Sequence, residues 1–440
     1  MASNIAKSTI FRAVGTRGYA QLAPVSGSTN YQVNVKTLPN KLVVVSADND
    51  SPLARVSIVF RAGARNETSE NLGAAHVIRT AAGLSTQNMT QFAITRNIQQ
   101  LGASLTATSD RETISYTLEG TRQAVEKALP YLTEVATQQV FKPWELAELS
   151  DRLRIDLATR PLQLRAVDLL HKAAFRTGLG NSLYAPKFQI GKISSETLQH
   201  YVSSNFTSAR GAVVGLGLDE CKMDELAQSL TLDDSNGHVN VSPYKGGEIR
   251  SDKGGSFAFM AVAGEGASVK NPKEAMATAV LQRALGVGPQ IKWSTVDNGI
   301  LSKAICSSEG YASSAISATY SDTGLVGVLI AAPAKAAGKI LEGAVKALKS
   351  GNVTDADVAR GKNQLKTALL LHLESGSEAV ELLGKQAVLA GGAMSPCELA
   401  AAVDSVSTAD VRAALSKAGR KLTIASVGNL SNVPYADDLK

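Results

Sequence analysis

His76, Arg79 and Thr80 lie within ten residues, Asn71-Leu72-Gly73-Ala74-Ala75-His76-Val77-Ile78-Arg79-Thr80. Their spacing is that of a metal-hydrolysis motif whose chemistry has been replaced. In an H-x-x-E-H helix, positions one turn apart share a face, so two imidazoles converge on one zinc and the glutamate between them activates its bound water. Here only the first imidazole is present, as His76. Arg79 stands in the place of the glutamate, and a guanidinium accepts no proton and repels a metal cation. Thr80 stands in the place of the second imidazole, and a neutral hydroxyl is a poor zinc ligand. The stretch predicts a helix with the geometry of a zinc site and none of its reactivity, so no catalytic residue, metal ligand set or cofactor is expected.

Several elements are expected to position this helix. Pro39-Asn40-Lys41-Leu42-Val43-Val44-Val45 and an apolar run at 54–60 read as strands, the second leading into Arg61-Ala62-Gly63-Ala64-Arg65. Beyond the helix come Arg96, Gly102 and two further strands, 104–108 and 113–118. These bracket Ser109-Asp110-Arg111-Glu112 closely enough for an antiparallel hairpin, with Tyr116 in the second strand. This order resembles the pitrilysin-type metalloprotease family, whose pattern is a strand, a Gly-Ser-Arg-like turn, Asn-Gly-x-Ala-His, and a later Ser-Arg-Glu before a Tyr-bearing strand. The resemblance implies that the family's distal acidic ligand falls at or beside Asp156.

Further segments are similar to non-catalytic members of the family that form core subunits of mitochondrial ubiquinol-cytochrome c reductase, respiratory complex III. They are Trp144 to Leu149, Asn181 to Pro186, Phe206 to Arg210, Gly246 to Arg250 and Tyr320 to Leu325. The implied role is structural: a core 1 subunit and other complex III subunits as partners, and a peripheral place on the matrix side of the inner membrane. The alternative is a non-catalytic partner in a presequence-processing peptidase. The α subunits of that enzyme carry a long glycine-rich loop, where this chain has the short run Leu285-Gly286-Val287-Gly288-Pro289-Gln290 continuing into Ile291-Lys292-Trp293.

Composition narrows the function classes. A chain of 440 residues with 44% hydrophobic content is too long for one core, so at least two domains are expected. The longest apolar run, Gly324 to Ala334, is too short for a membrane span. Cys221, Cys306 and Cys397 are isolated and odd in number, which argues for a reducing compartment and against both a disulfide framework and an iron-sulfur site. The histidines at 171, 200, 238 and 372 have no metal-ligand spacing. The first acidic residue is Asp48, whereas Lys7, Arg12 and Arg17 sit among small and apolar residues, the composition of a mitochondrial presequence. Residues 1–19 are read as that presequence, cleaved between Tyr19 and Ala20. Its removal lowers the formal charge from +6 to +3, leaving little motive for nucleic-acid binding. Gly215-Leu216-Gly217, Gly264-Glu265-Gly266 and Gly286-Val287-Gly288 each lack the third glycine of a dinucleotide loop. Asn66-Glu67-Thr68 reads as a turn rather than a glycosylation site.

An internal repeat organises the chain. Phe141 to Leu146 finds a counterpart in Val353 to Val358, Ser194 to Leu198 in Ser407 to Val411, and 213–217 in 424–428, all at an offset of about 212 residues. The predicted class is α+β: two homologous domains, each a largely antiparallel sheet with packed helices, spanning 20–235 and 236–440. Helix starts are expected at Asn271 with Glu274, Thr354 with Asp357, Ser395 with Glu398 and Ser407 with Asp410.

Overall fold

The computed structural model describes residues 32–237, 240–289, 299–305 and 310–439. The presequence reading, with Tyr19 and Ala20, lies outside these residues, as do His238, Cys306 and Ile291-Lys292-Trp293. Strands of alternating or continuous apolar residues build two sheets. The first contains β1 (Val33–Thr37), β2 (Val43–Ala47), β3 (Leu53–Phe60), β4 (Ser104–Ser109), β5 (Ile114–Thr121) and β6 (Gly211–Leu216), in the order β1-β2-β6-β3-β5-β4. The second contains β7 (Glu248–Asp252), β8 (Phe257–Glu265), β9 (Ala312–Thr319), β10 (Gly324–Pro333) and β11 (Thr423–Gly428), in the order β7-β11-β8-β10-β9. Apart from β1, the two orders are the same. Only β2 with β6 and β7 with β11 pair parallel; every other pair is antiparallel. The α+β class and the duplication are therefore as the sequence implied.

Helices of the first half are α1 (Ala74–Thr80), α2 (Gln91–Leu101), α3 (Arg122–Thr137), α4 (Pro143–Thr159), α5 (Leu162–Phe175), α6 (Ser195–Asn205) and α7 (Glu220–Ser229). Those of the second are α8 (Pro272–Leu285), α9 (Ile300–Ile305), α10 (Ala337–Ser350), α11 (Asp355–Glu374), α12 (Gly376–Ala390), α13 (Pro396–Ser405) and α14 (Thr408–Arg420). At α11, α13 and α14 the capping residues Thr354, Ser395 and Ser407 make reciprocal capping boxes. Asn271 does not cap α8 with its side chain, which corrects the expectation. The three working caps have ψ of 160–161°, whereas Asn271 has ψ 81°, outside the extended conformation that aims a capping oxygen at the first-turn N–H groups.

Two helices cross over between the halves. α5, from the first half, lies on β11 and β8 of the second sheet, burying Ala166, Leu170, Ala174 and Phe175 against Ala261, Ala263, Ala425 and Val427. α12, from the second half, lies on β2, β3 and β6 of the first sheet, burying Ala379, Val380, Leu383 and Ala387 against Val45, Ala212, Val214 and Leu216. Gly384 permits this approach, since a Cβ there would stand 2.8 Å from Cγ2 of Val59. Each sheet thus has one apolar face covered by its own half and the other by a borrowed helix.

Candidate functional site

The helix with the altered motif begins at Gly73, whose φ of 92° is left-handed. A side chain there would also strike Ala185 at 2.5 Å. The first helical N–H groups are received by a carboxylate that sequence reading treated as part of a simple turn. Glu67 accepts from the N–H of Gly73 at 2.8 Å and of Ala75 at 2.9 Å. It is buried, and that desolvation raises its pKa to about 8, opposed by the two N–H bonds and by Arg111.

His76 is 1% exposed. Its Nδ1 accepts the N–H of Ala185 at 3.2 Å, which places the proton of the neutral ring on Nε2. Nε2 lies 3.5 Å from Oδ2 of Asp156 on α4, without hydrogen-bond alignment. The ring packs edge-on against Tyr184, centroids 5.4 Å apart, and the Arg160 guanidinium lies over the ring of that tyrosine at 5.0 Å from its centroid. Burial, then the charge of Arg79, lower the His76 pKa, with Asp156 acting in the opposite direction. The Arg79 guanidinium stands 3.9 Å from the same Oδ2 of Asp156. Thr80 turns its hydroxyl inward, donating to the carbonyl of His76 at 2.8 Å.

His76, Arg79 and Asp156 are therefore brought together, and Thr80 is committed to its own helix. These residues do not fit a zinc ion. A ligating Nε2 needs its lone pair, but the Ala185 N–H claims the lone pair of Nδ1 and leaves Nε2 protonated. The acid that would complete the set faces a guanidinium instead. Among the described residues, no group of three or more His, Cys, Asp or Glu side chains could hold a metal. Tyr116 is buried and accepts a hydrogen bond from Gln139 at 2.7 Å, a core contact.

A second constellation escaped the sequence reading. Three consecutive residues of the β4–β5 turn each grip a different part of the molecule. Asp110 pairs with Lys385 of α12 at 2.5 Å, and Arg111 with Asp168 of α5 at 2.8 Å. Glu112 accepts from Arg65 at 2.6 Å and, through its two oxygens, from the hydroxyl and N–H of Ser321 at 2.6 and 3.0 Å. Arg65 also donates to Asp322 and to the carbonyl of Asn240, so one buried guanidinium ties the first half, the connection and the second half together. His171 of α5 donates from Nδ1 to Val167 and accepts from the Tyr320 hydroxyl at 2.7 Å; burial lowers its pKa to about 3. The signal available in sequence was the run Asp110-Arg111-Glu112, but nothing local names the partners.

The duplicated sheets and the helix with its altered motif define the class: the chain belongs to the insulinase family, peptidase family M16. Residues 42–187 match the insulinase (M16) domain and residues 192–365 the domain described as M16 inactive. Among similar proteins is the mitochondrial cytochrome b-c1 complex subunit 2 of Mus musculus, 39% identical over 412 residues covering 91% of each chain. The Homo sapiens protein of the same name is 37% identical, again over 91% of each chain. The probable mitochondrial-processing peptidase subunit alpha-1 of Arabidopsis thaliana is more distant, 29% identical over 93% of this chain and 84% of its own.

Proposed function

We propose that this chain is a mitochondrial, non-catalytic M16 homologue that serves as a structural core subunit of the cytochrome b-c1 complex, respiratory complex III. The observation that carries the reading is the state of His76: its proton stands on the nitrogen a metal would need, and its neighbouring acid faces Arg79. His76, Arg79, Thr80 and Asp156 are read as the disabled counterpart of a zinc site. Likeness to the b-c1 subunit 2 proteins along 91% of the chain supports other complex III subunits as partners. No described helix is long and apolar enough to cross a membrane, which fits attachment through those partners. The finer reading places the chain on the matrix side beside a core 1 subunit, with a presequence ending at Tyr19 and halves divided near residue 235.

Depletion tests it. Assembled complex III and ubiquinol-cytochrome c reductase activity should fall together when the chain is removed from cells. Normal complex III with failed presequence processing would instead make the chain a non-catalytic processing-peptidase partner. Cross-linking within solubilised complex III should recover core 1 as a neighbour, and N-terminal sequencing should begin at Ala20.

A further inference from the structure

Helical spacing sets out one face of α14. Asp410, Ala413, Ala414 and Lys417 recur at intervals of three and four residues, and Arg420 ends the same row. Lys273, Glu274, Ala277 and Thr278 stand at matching intervals on α8, which packs against α14. The middle of both rows is made of side chains too small to fill the space between them. A cavity of about 530 Å³ remains there, bordered by Glu265 and Gly266 at the end of β8 and by Tyr244 and Lys421. That volume lies within the range of small-molecule sites.

The lining carries four basic side chains and three acidic ones, so one positive charge is in excess. Each acid already has a lysine. Lys273 stands 3.1 Å from Asp410, and Lys417 lies 3.8 Å from both Glu265 and Glu274. Arg420 and Lys421 make no ion pair among the described residues. The C-terminal end of α14 favours a cation at either position, which accounts for their charge but not for the cavity beside them. Lys421 is also held in place. Its carbonyl accepts the Tyr244 hydroxyl at 2.7 Å, and its side chain lies along Gly246, where a Cβ would stand 3.0 Å from Cε of the lysine.

We propose that this cavity binds a small organic monoanion, a carboxylic acid with a short hydrocarbon body, whose carboxylate pairs with Arg420 and Lys421 while its hydrocarbon lies between Ala277 and Ala414. Alanine methyl groups favour the hydrocarbon, and the two uncommitted cations favour a carboxylate over an alcohol or an ammonium. A dianion such as phosphate would meet the same two cations but would also face three carboxylates, with one surplus positive charge to offset two negative ones. A single negative charge is what the lining balances.

The test uses the full-length chain with alanine methyl groups labelled for NMR. Hexanoate should saturably shift the Ala277 and Ala414 signals, bind about tenfold more tightly than hexanol, and bind more weakly as salt is added. Hexylammonium and phosphate should each bind more weakly than hexanoate. Arg420→Gln combined with Lys421→Gln should lower hexanoate to the affinity of hexanol, with little change in the urea midpoint because both side chains are exposed. Ala414→Leu fills the cavity and should abolish the response; should that variant not fold, the double glutamine variant still decides. Equal binding of hexanoate and hexanol, tighter binding of hexylammonium or phosphate, no saturable shift in the wild type, or hexanoate affinity unchanged in either folded variant would overturn the proposal.

Discussion

Arg65 and Asp322 stand 257 residues apart in the chain, yet Nη1 of the arginine meets Oδ1 of the aspartate at 2.9 Å while Nη2 engages the second oxygen. The same guanidinium serves Glu112, Ser321 and Asn240, and its side chain is 3% exposed. Removing it strands a buried carboxylate at Glu112 and a largely buried one at Asp322. Arg65→Met is expected to cost ~3–5 kcal/mol, and Arg65→Lys to recover only part because an ammonium has no planar fork. Urea denaturation measures both, and an unchanged midpoint for Arg65→Met would show that the network adds no stability.

The borrowed helices make the halves thermodynamically inseparable. Leu383→Ala, on the face of α12 that covers the first sheet, should cost ~2–5 kcal/mol through loss of burial and a residual cavity. A fragment ending at residue 235 lacks α12 and would bare Val45, Val214 and Leu216. It should bind a hydrophobic dye and lack near-ultraviolet circular dichroism until residues 236–440 are added. A monomeric fragment with a sharp thermal transition of its own would contradict this.

Zinc should not bind stoichiometrically. Restoring the motif letters with Arg79→Glu and Thr80→His is expected to give weak binding and little peptide cleavage, because the Ala185 N–H still holds His76 in the wrong tautomer. Elemental analysis of both proteins decides the matter. One tightly held zinc per wild-type chain, lost on His76→Ala, would falsify the disabled-site reading.

Two buried groups give opposite pH dependences. His171 has its folded pKa lowered to about 3, so the unfolded chain binds the extra proton between pH 3 and about 6.5 and stability falls as pH falls through that window. Glu67 has its folded pKa raised to about 8, so the folded chain holds the extra proton between about pH 4.5 and 8 and stability falls as pH rises through that window. His171→Gln should flatten the acid limb of a stability profile, and Glu67→Gln the neutral one. Parallel profiles for wild type and variant would remove the assignment in question.

What the sequence disclosed followed the range of the interactions. Capping boxes at Thr354, Ser395 and Ser407 close within four residues, and the hairpin of β4 and β5 closes across a short turn, so residue order alone announces them. The spacing of His76, Arg79 and Thr80 was equally local. Asn271 misled because a cap depends on the backbone angle as well as on residue type. Glu67 gave no warning, since its partners are backbone N–H groups, which every sequence possesses. The cross-over of α5 and α12 was illegible for a related reason. Periodicity shows that a helix has an apolar face, but not which of two apolar sheets will receive it.

That cross-over also sets an order of events. Whenever the chain emerges from its N-terminus, at a ribosome or through a translocation pore, the first sheet can be complete once residue 216 has appeared. One of its faces stays open until α12 arrives, ending at Ala390. During that interval a β-surface of valine and leucine has no native cover, the condition under which nascent chains associate wrongly. The first half can begin to form early but finishes only with the second, so the burden on chaperones falls in the stretch between them.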